Sequence, residues 1–84
     1  MPHTKVYMKH FGYGIDDVVL CEVCGVKAVD IHHINGRGKG MDVISNLMAL
    51  CRDHHNSAHG INHTYLHPDV VQAIHNEYLK NYAE

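Results

Sequence analysis

The sequence predicts a small α+β domain, and three observations carry that prediction. The chain has 84 residues and is 45% hydrophobic, yet it holds one Phe and no Trp. That is enough for one domain over residues 1–84, with a core light enough to need a staple. Two short apolar runs, ending at Ile34 and Leu50, flank a loop with three glycines in six residues, Asn35 to Gly40. Near the C-terminus, apolar residues recur at helical spacing.

Residues 1–20 mix polar and aromatic positions. Tyr7, Phe11 and Tyr13 are expected to pack around the turn that follows, with Gly12 and Gly14 as punctuation. Cys21-Glu-Val-Cys24-Gly25 reads as a tight turn whose two sulfurs face one ion. The β-rich stretch Val26–Ile34 predicts a short strand over Ile31–Ile34. Residues 35–40 are a loop, because three glycines cannot hold a helix or strand interior. Leu47-Met-Ala-Leu50 predicts a second strand or extended segment. Asp53–His59 predicts a short helix, with Gly60 as the cap just past its end. Pro68 suits a first helical turn, and Val70, Val71, Ile74, Tyr78, Leu79 and Tyr82 predict a helix over about 68–82 with one packed face.

Ten His outnumber the seven Lys and Arg combined. Imidazole is the commonest protein metal ligand and titrates near neutrality. A net charge of −2 argues against an extended basic surface, so nucleic-acid contacts would come from a local patch and bound cations. No apolar stretch approaches the roughly 18 residues of a membrane span, and no N-terminal run has the layout of a secretory signal. With three Cys, an odd number, thiolate ligation in a reducing cytoplasm is expected over disulfide pairing.

Cys21-x2-Cys24 and Cys51-x2-His54 form two ligand pairs, each spaced so that a turn aims both donors at one ion. Three thiolates and an imidazole suit tetrahedral Zn2+. Such an ion contributes folding free energy on the order of 10 kcal/mol at neutral pH. His54 has the matching spacing for the fourth ligand, with His55 as the alternative. The bland reading is a buried apolar Cys51 beside an incidental or redox-active pair.

A second constellation overlaps the first. His55 and His59 are four apart and share one helix face. His54 is about 100° round the same helix from His55, so it can face the zinc while His55 faces away. His32 and His33 are neighbours on a strand and point to opposite faces. One of them can join an ion held by His55 and His59 while the other stays free.

These motifs, from Cys21-x2-Cys24 through Asp30-Ile-His-His-Ile34 and Asn46-Leu47 to Leu50-Cys-Arg-Asp-His-His55 and His59, resemble the His-Asn-His (HNH) endonuclease family with its ββα-metal fold. The likeness spans residues 21–59; the histidine and asparagine arrangement resembles the nuclease colicins especially, and the flanking segments resemble compact phage and prophage members more weakly. The resemblance implies a metal-dependent endonuclease that hydrolyses DNA phosphodiester bonds, as a monomer or homodimer. It implies that His32, His55 and His59 ligate one catalytic divalent ion, that His33 is the general base, and that Asn46 hydrogen-bonds near His33 and orients its ring. The zinc knuckle is then a structural elaboration. An all-His ligand set suits Mn2+, Ni2+ or Zn2+ at least as well as Mg2+.

The residue types suit that chemistry. A neutral imidazole accepts a proton from water near neutrality, and a divalent ion stabilises charge on the phosphate and the leaving oxygen. Arg37, Lys39 and Arg52 flank the site in sequence and can pair with backbone phosphates, which positions DNA without reading bases. Asp30 is read as a local hydrogen-bond acceptor. His3, His10, His63, His67 and His75 are read as solvent-exposed or satisfied in the core. The alternative functions are a non-catalytic zinc-knuckle module for nucleic acid or protein, and a metal-storage or metal-sensing protein.

Overall fold

The computed structural model describes residues 2–60 and 65–83; His63 lies outside them. Their architecture is α+β. Helix α1 (Pro2–Phe11) comes first, followed by strand β1 (Asp30–His33), a 3-10 turn (Ile44–Asn46), strand β2 (Leu47–Leu50), helix α2 (Arg52–Ala58) and helix α3 (Pro68–Ala83).

Helix α1 is the element that the sequence reading does not contain. Its buried residues are His3, Tyr7 and Phe11, spaced four apart on one face. Lys9 and His10 in the last turn complement the negative helix end. Gly12 closes it at φ 71°, with Tyr13 N donating to Met8 O at 2.8 Å. The aromatics therefore do not gather around the cysteine turn. Tyr7 and Phe11 pack with Ile31, Leu47 and Ala49 on the sheet, and Tyr13 lies at the edge of that cluster. The Tyr7 hydroxyl does reach the cysteine turn, donating to Glu22 Oε2 at 2.6 Å.

β1 and β2 pair antiparallel, with Ile31 opposite Ala49 and His33 opposite Leu47. Side chains alternate between faces. Ile31, Leu47 and Ala49 face α1, while Met48 and Leu50 join Cys21, Ile34, Cys51 and Val71 in a second cluster on the other face. Covered on both faces, Leu47–Leu50 are all fully buried. That is why β2 reads as an unbroken apolar run.

α2 runs one residue earlier than the predicted Asp53–His59. His59 is its C-cap, with its N–H on His55 O at 3.2 Å, and Gly60 follows at φ 69°. α3 matches its predicted span to within a residue, but its face is shifted. Val71 and His75 are buried, with Ile74, Tyr78 and Leu79 beside them, while Val70 and Tyr82 are about half exposed. The buried stripe runs 71, 74, 75, 78, and a histidine stands at its centre.

That histidine ties the fold together. His75 Nδ1 is 2.7 Å from Glu22 Oε1 and its Nε2 is 2.6 Å from Ile44 O, both side chains of the pair being fully buried. Glu22 also accepts from Ala49 N at 3.3 Å. One carboxylate thus links α1, the cysteine turn, β2 and α3.

Candidate metal centres and cleft

The cysteine turn is anchored before it holds anything. Gly25 N donates to Cys21 O at 2.9 Å, Cys21 N to Val26 O at 2.7 Å, and Glu22 N to Ala49 O at 3.0 Å. Two sulfurs are thereby held against the start of α2, where Cys51 is the N-cap residue. Donor atoms of Cys21, Cys24, Cys51 and His54 lie within 4.8 Å of one another. Cys24 Sγ and Cys51 Sγ are 3.8 Å apart, and His54 Nδ1 is 3.2 Å from Cys51 Sγ and 3.7 Å from Cys21 Sγ. Tetrahedral zinc with bonds of about 2.3 Å to sulfur and about 2.05 Å to nitrogen sets these separations near 3.8 and 3.5 Å. All three cysteines are free thiols. Burial alone raises the Cys21 thiol, but the backbone of Cys51, Cys24 and Val23 outweighs it and brings the thiol down to about 7, ready to ligate. His54 is the fourth donor; His55 belongs to another cluster.

That second cluster is His32, His55 and His59. His55 and His59 stand one turn apart, their rings edge to face at 79°, with their Nε2 atoms 3.0 Å from each other. His32 reaches in from β1, its ring centroid 5.3 Å from His55 and 5.0 Å from His59. Two nitrogens about 2.1 Å from one ion lie about 3.0–3.4 Å apart, so the separation fits a shared metal. Burial, then the neighbouring His55 and His59, hold His32 down to about 4, and burial also lowers His55. His32 and His55 thereby resist protonation, which keeps their lone pairs for an ion. Asp30 accepts locally from Ile31 N at 2.9 Å, as expected, and also stands 3.3 Å from His55 Nε2.

His33 points to the other face of β1, towards α1. Its Nε2 is 2.8 Å from Asp42 Oδ1, and its ring centroid is 4.6 Å from that of His3. Neither Asp42 nor His3 was singled out by the sequence. Asp42 arrives through the glycine loop, and His3 through the unanticipated α1. His33 nonetheless lines the same cleft as His32, His55 and His59. The cleft is about 220 Å3, with Asp30, Gly36 and Arg37 completing its wall. Lys39 and Arg52 are exposed and are not among its lining residues.

Asn46 contacts the loop rather than the His33 ring. Its Oδ1 accepts from Asn35 N at 2.7 Å, and its Nδ2 donates to Met41 O at 2.9 Å and Gly36 O at 3.1 Å. An amide with both a donor and an acceptor end can close a loop at two rims. Asn46 thereby sets the path of the chain from His33 to Asp42.

Among the described residues no helix is long and apolar enough to cross a membrane. No protein-family model, curated protein or solved structure matches the chain.

Proposed function

We propose that the chain is a metal-dependent endonuclease of the HNH type, with the ββα-metal arrangement formed by β1, β2 and α2. The observation that carries the reading is the shared cleft, in which three imidazoles at metal-ligand spacing stand beside His33 and Arg37. The donor chemistry fits the two metal groups this reading requires. Cys21, Cys24, Cys51 and His54 hold a structural Zn2+, and His32, His55 and His59 hold a single exchangeable divalent ion of the Mg2+, Mn2+, Ni2+ or Zn2+ class.

When bound in the cleft, that ion supplies Lewis-acid stabilisation of charge on a phosphate oxygen and on the leaving oxygen. The remaining work falls to side chains. His33 is the general base. Asp42 accepts a hydrogen bond from Nε2–H, which leaves the lone pair on Nδ1 to take a proton from the attacking water. Arg37 pairs with a neighbouring phosphate and sets the DNA strand in the cleft. Asn46 positions the loop that carries Arg37 and Asp42. Contacts of this kind are to the DNA backbone and carry little base specificity.

The test is relaxation of supercoiled plasmid by the full chain across Mg2+, Mn2+, Ni2+ and Zn2+, beside His33→Ala. Nicked or linear product is expected with at least one ion, reduced about 10²-fold or more in the variant. Cleavage that survives His33→Ala in nuclease-free preparations, or intact plasmid with every ion, overturns the reading.

A further inference from the structure

A third set of donors is separate from the two ligand clusters and shares only His33 with the cleft. One ring nitrogen each from His3 and His33 and a carboxylate oxygen of Asp42 lie within 4.8 Å of one another. We infer that these three residues bind a divalent transition-metal ion of their own, of the Zn2+, Co2+ or Ni2+ class, and that its binding takes His33 out of service as a base. The second half rests on the nuclease reading above; the first does not.

The geometry supplies two separate arguments. The donors come from three elements, α1, β1 and the glycine loop, that packing already holds in place. His33 Nε2 and Asp42 Oδ1 stand at 2.8 Å, and the His3 and His33 rings are 4.6 Å apart, tilted at 56°. Independently, His3 and His33 are 4% and 7% exposed, and each carries a buried ring nitrogen, His3 Nε2 and His33 Nδ1, with no hydrogen-bond partner. Buried polar atoms nearly always have partners; an ion held by His3 Nε2 would supply the one that atom lacks, while His33 Nδ1 is the nitrogen that the base role uses. Two imidazoles and a carboxylate form a borderline donor set that leaves positions open for water. Asp42 is half exposed and gives an ion a route in from solvent.

The regulatory consequence follows from the imidazole ring itself. A neutral ring has one lone pair. If an ion takes it, the other nitrogen must carry the proton, and no site remains to accept one from water. The two states of His33 exclude each other. One donates to Asp42 and keeps a free pair for catalysis; the other shares an ion with Asp42 and His3. Cleavage should therefore rise with added metal and then fall.

The test counts ions on the full chain by native mass spectrometry with Co2+ or Zn2+ at saturation, for the natural protein, His3→Ala and Asp42→Asn. Three ions per chain are expected, one for each cluster, and two in either variant, with the Co2+–thiolate absorption band unchanged. Asp42 is on an exposed loop, so its variant tests the site even if His3→Ala misfolds. Saturation at two ions in the natural protein, or a third ion that persists in both variants, overturns the site. In plasmid assays scaled to each protein's own maximum, the fall at high Zn2+ should vanish in His3→Ala; a fall that persists overturns the regulatory half. If no protein cleaves at any metal concentration, the nuclease reading fails while the ion count still decides the site.

Discussion

Glu22 sits between the two cysteines of the turn and is buried among three partners, Tyr7, His75 and the Ala49 N–H. Removing one partner of a buried hydrogen-bonded pair leaves the other short of a bond in a dry site, which costs about 1–3 kcal/mol. His75→Ala should lower stability by that amount in urea denaturation of the zinc-loaded protein; a loss under ~1 kcal/mol would mean that the pair contributes little. Asn46→Ala removes a side chain that makes three hydrogen bonds to the loop backbone. A cost of about 1–3 kcal/mol is expected, with faster amide exchange confined to residues 35–42. Unchanged exchange there would remove Asn46 from its loop-closing role. The two donor clusters were legible because spacing separates their members: His54 and His55 are about 100° apart on a helix and fall in different clusters. Glu22, His75 and Asp42 were not legible, since nothing local distinguishes a buried partner from a solvated one.

Among the elements, β2 could be read from its unbroken apolar run, α2 from Gly60 just past its end, and α3 from Pro68 and its helical spacing. α1 could not be read as easily, because its buried face is half polar: His3 shares it with Tyr7 and Phe11. A stripe at 3, 7 and 11 behind Pro2 was the available signal. Phe11 is 6% exposed and contacts Tyr7, Tyr78 and Tyr82. Phe11→Ala should cost about 3–5 kcal/mol and loosen α1 from α3, seen as lost protection in both helices. A cost below ~1 kcal/mol would show that α1 is not integral to the core. At the far end of α2, a Cβ on Gly60 would stand 3.0 Å from Tyr65 Cδ1 at a positive φ. Gly60→Ala is therefore destabilising, by about 1 kcal/mol or more.

At the scale of the whole molecule, clusters of metal-ligand donors and a set of buried rings govern how conditions act. On the proposed nuclease reading, the thiolate site should hold an ion more tightly than the open cleft, so graded EDTA should abolish cleavage before far-UV circular dichroism changes. Activity and helix signal falling together at every dose would contradict separate sites. Acid acts through the imidazoles. Burial holds His32 down to about 4 and lowers His3 and His55 as well. In the unfolded chain such rings take up protons near 6.5. Between those values the unfolded state binds more protons, so stability present above about pH 6.5 is lost as pH falls towards 4. Urea midpoints should slide down through that window, with a shallower slope in His32→Asn; a flat profile would contradict the burial of these rings.

The seven residues of α2 lie between sulfur chemistry on one flank and imidazole chemistry on the other. Insertion or deletion of one residue inside it would turn everything downstream by more than a quarter of a circle and deal each donor to the wrong neighbour. Point changes there can be graded, but changes of length cannot. Variation in length should instead collect in the outer loops, where no pair of centres has to stay in phase.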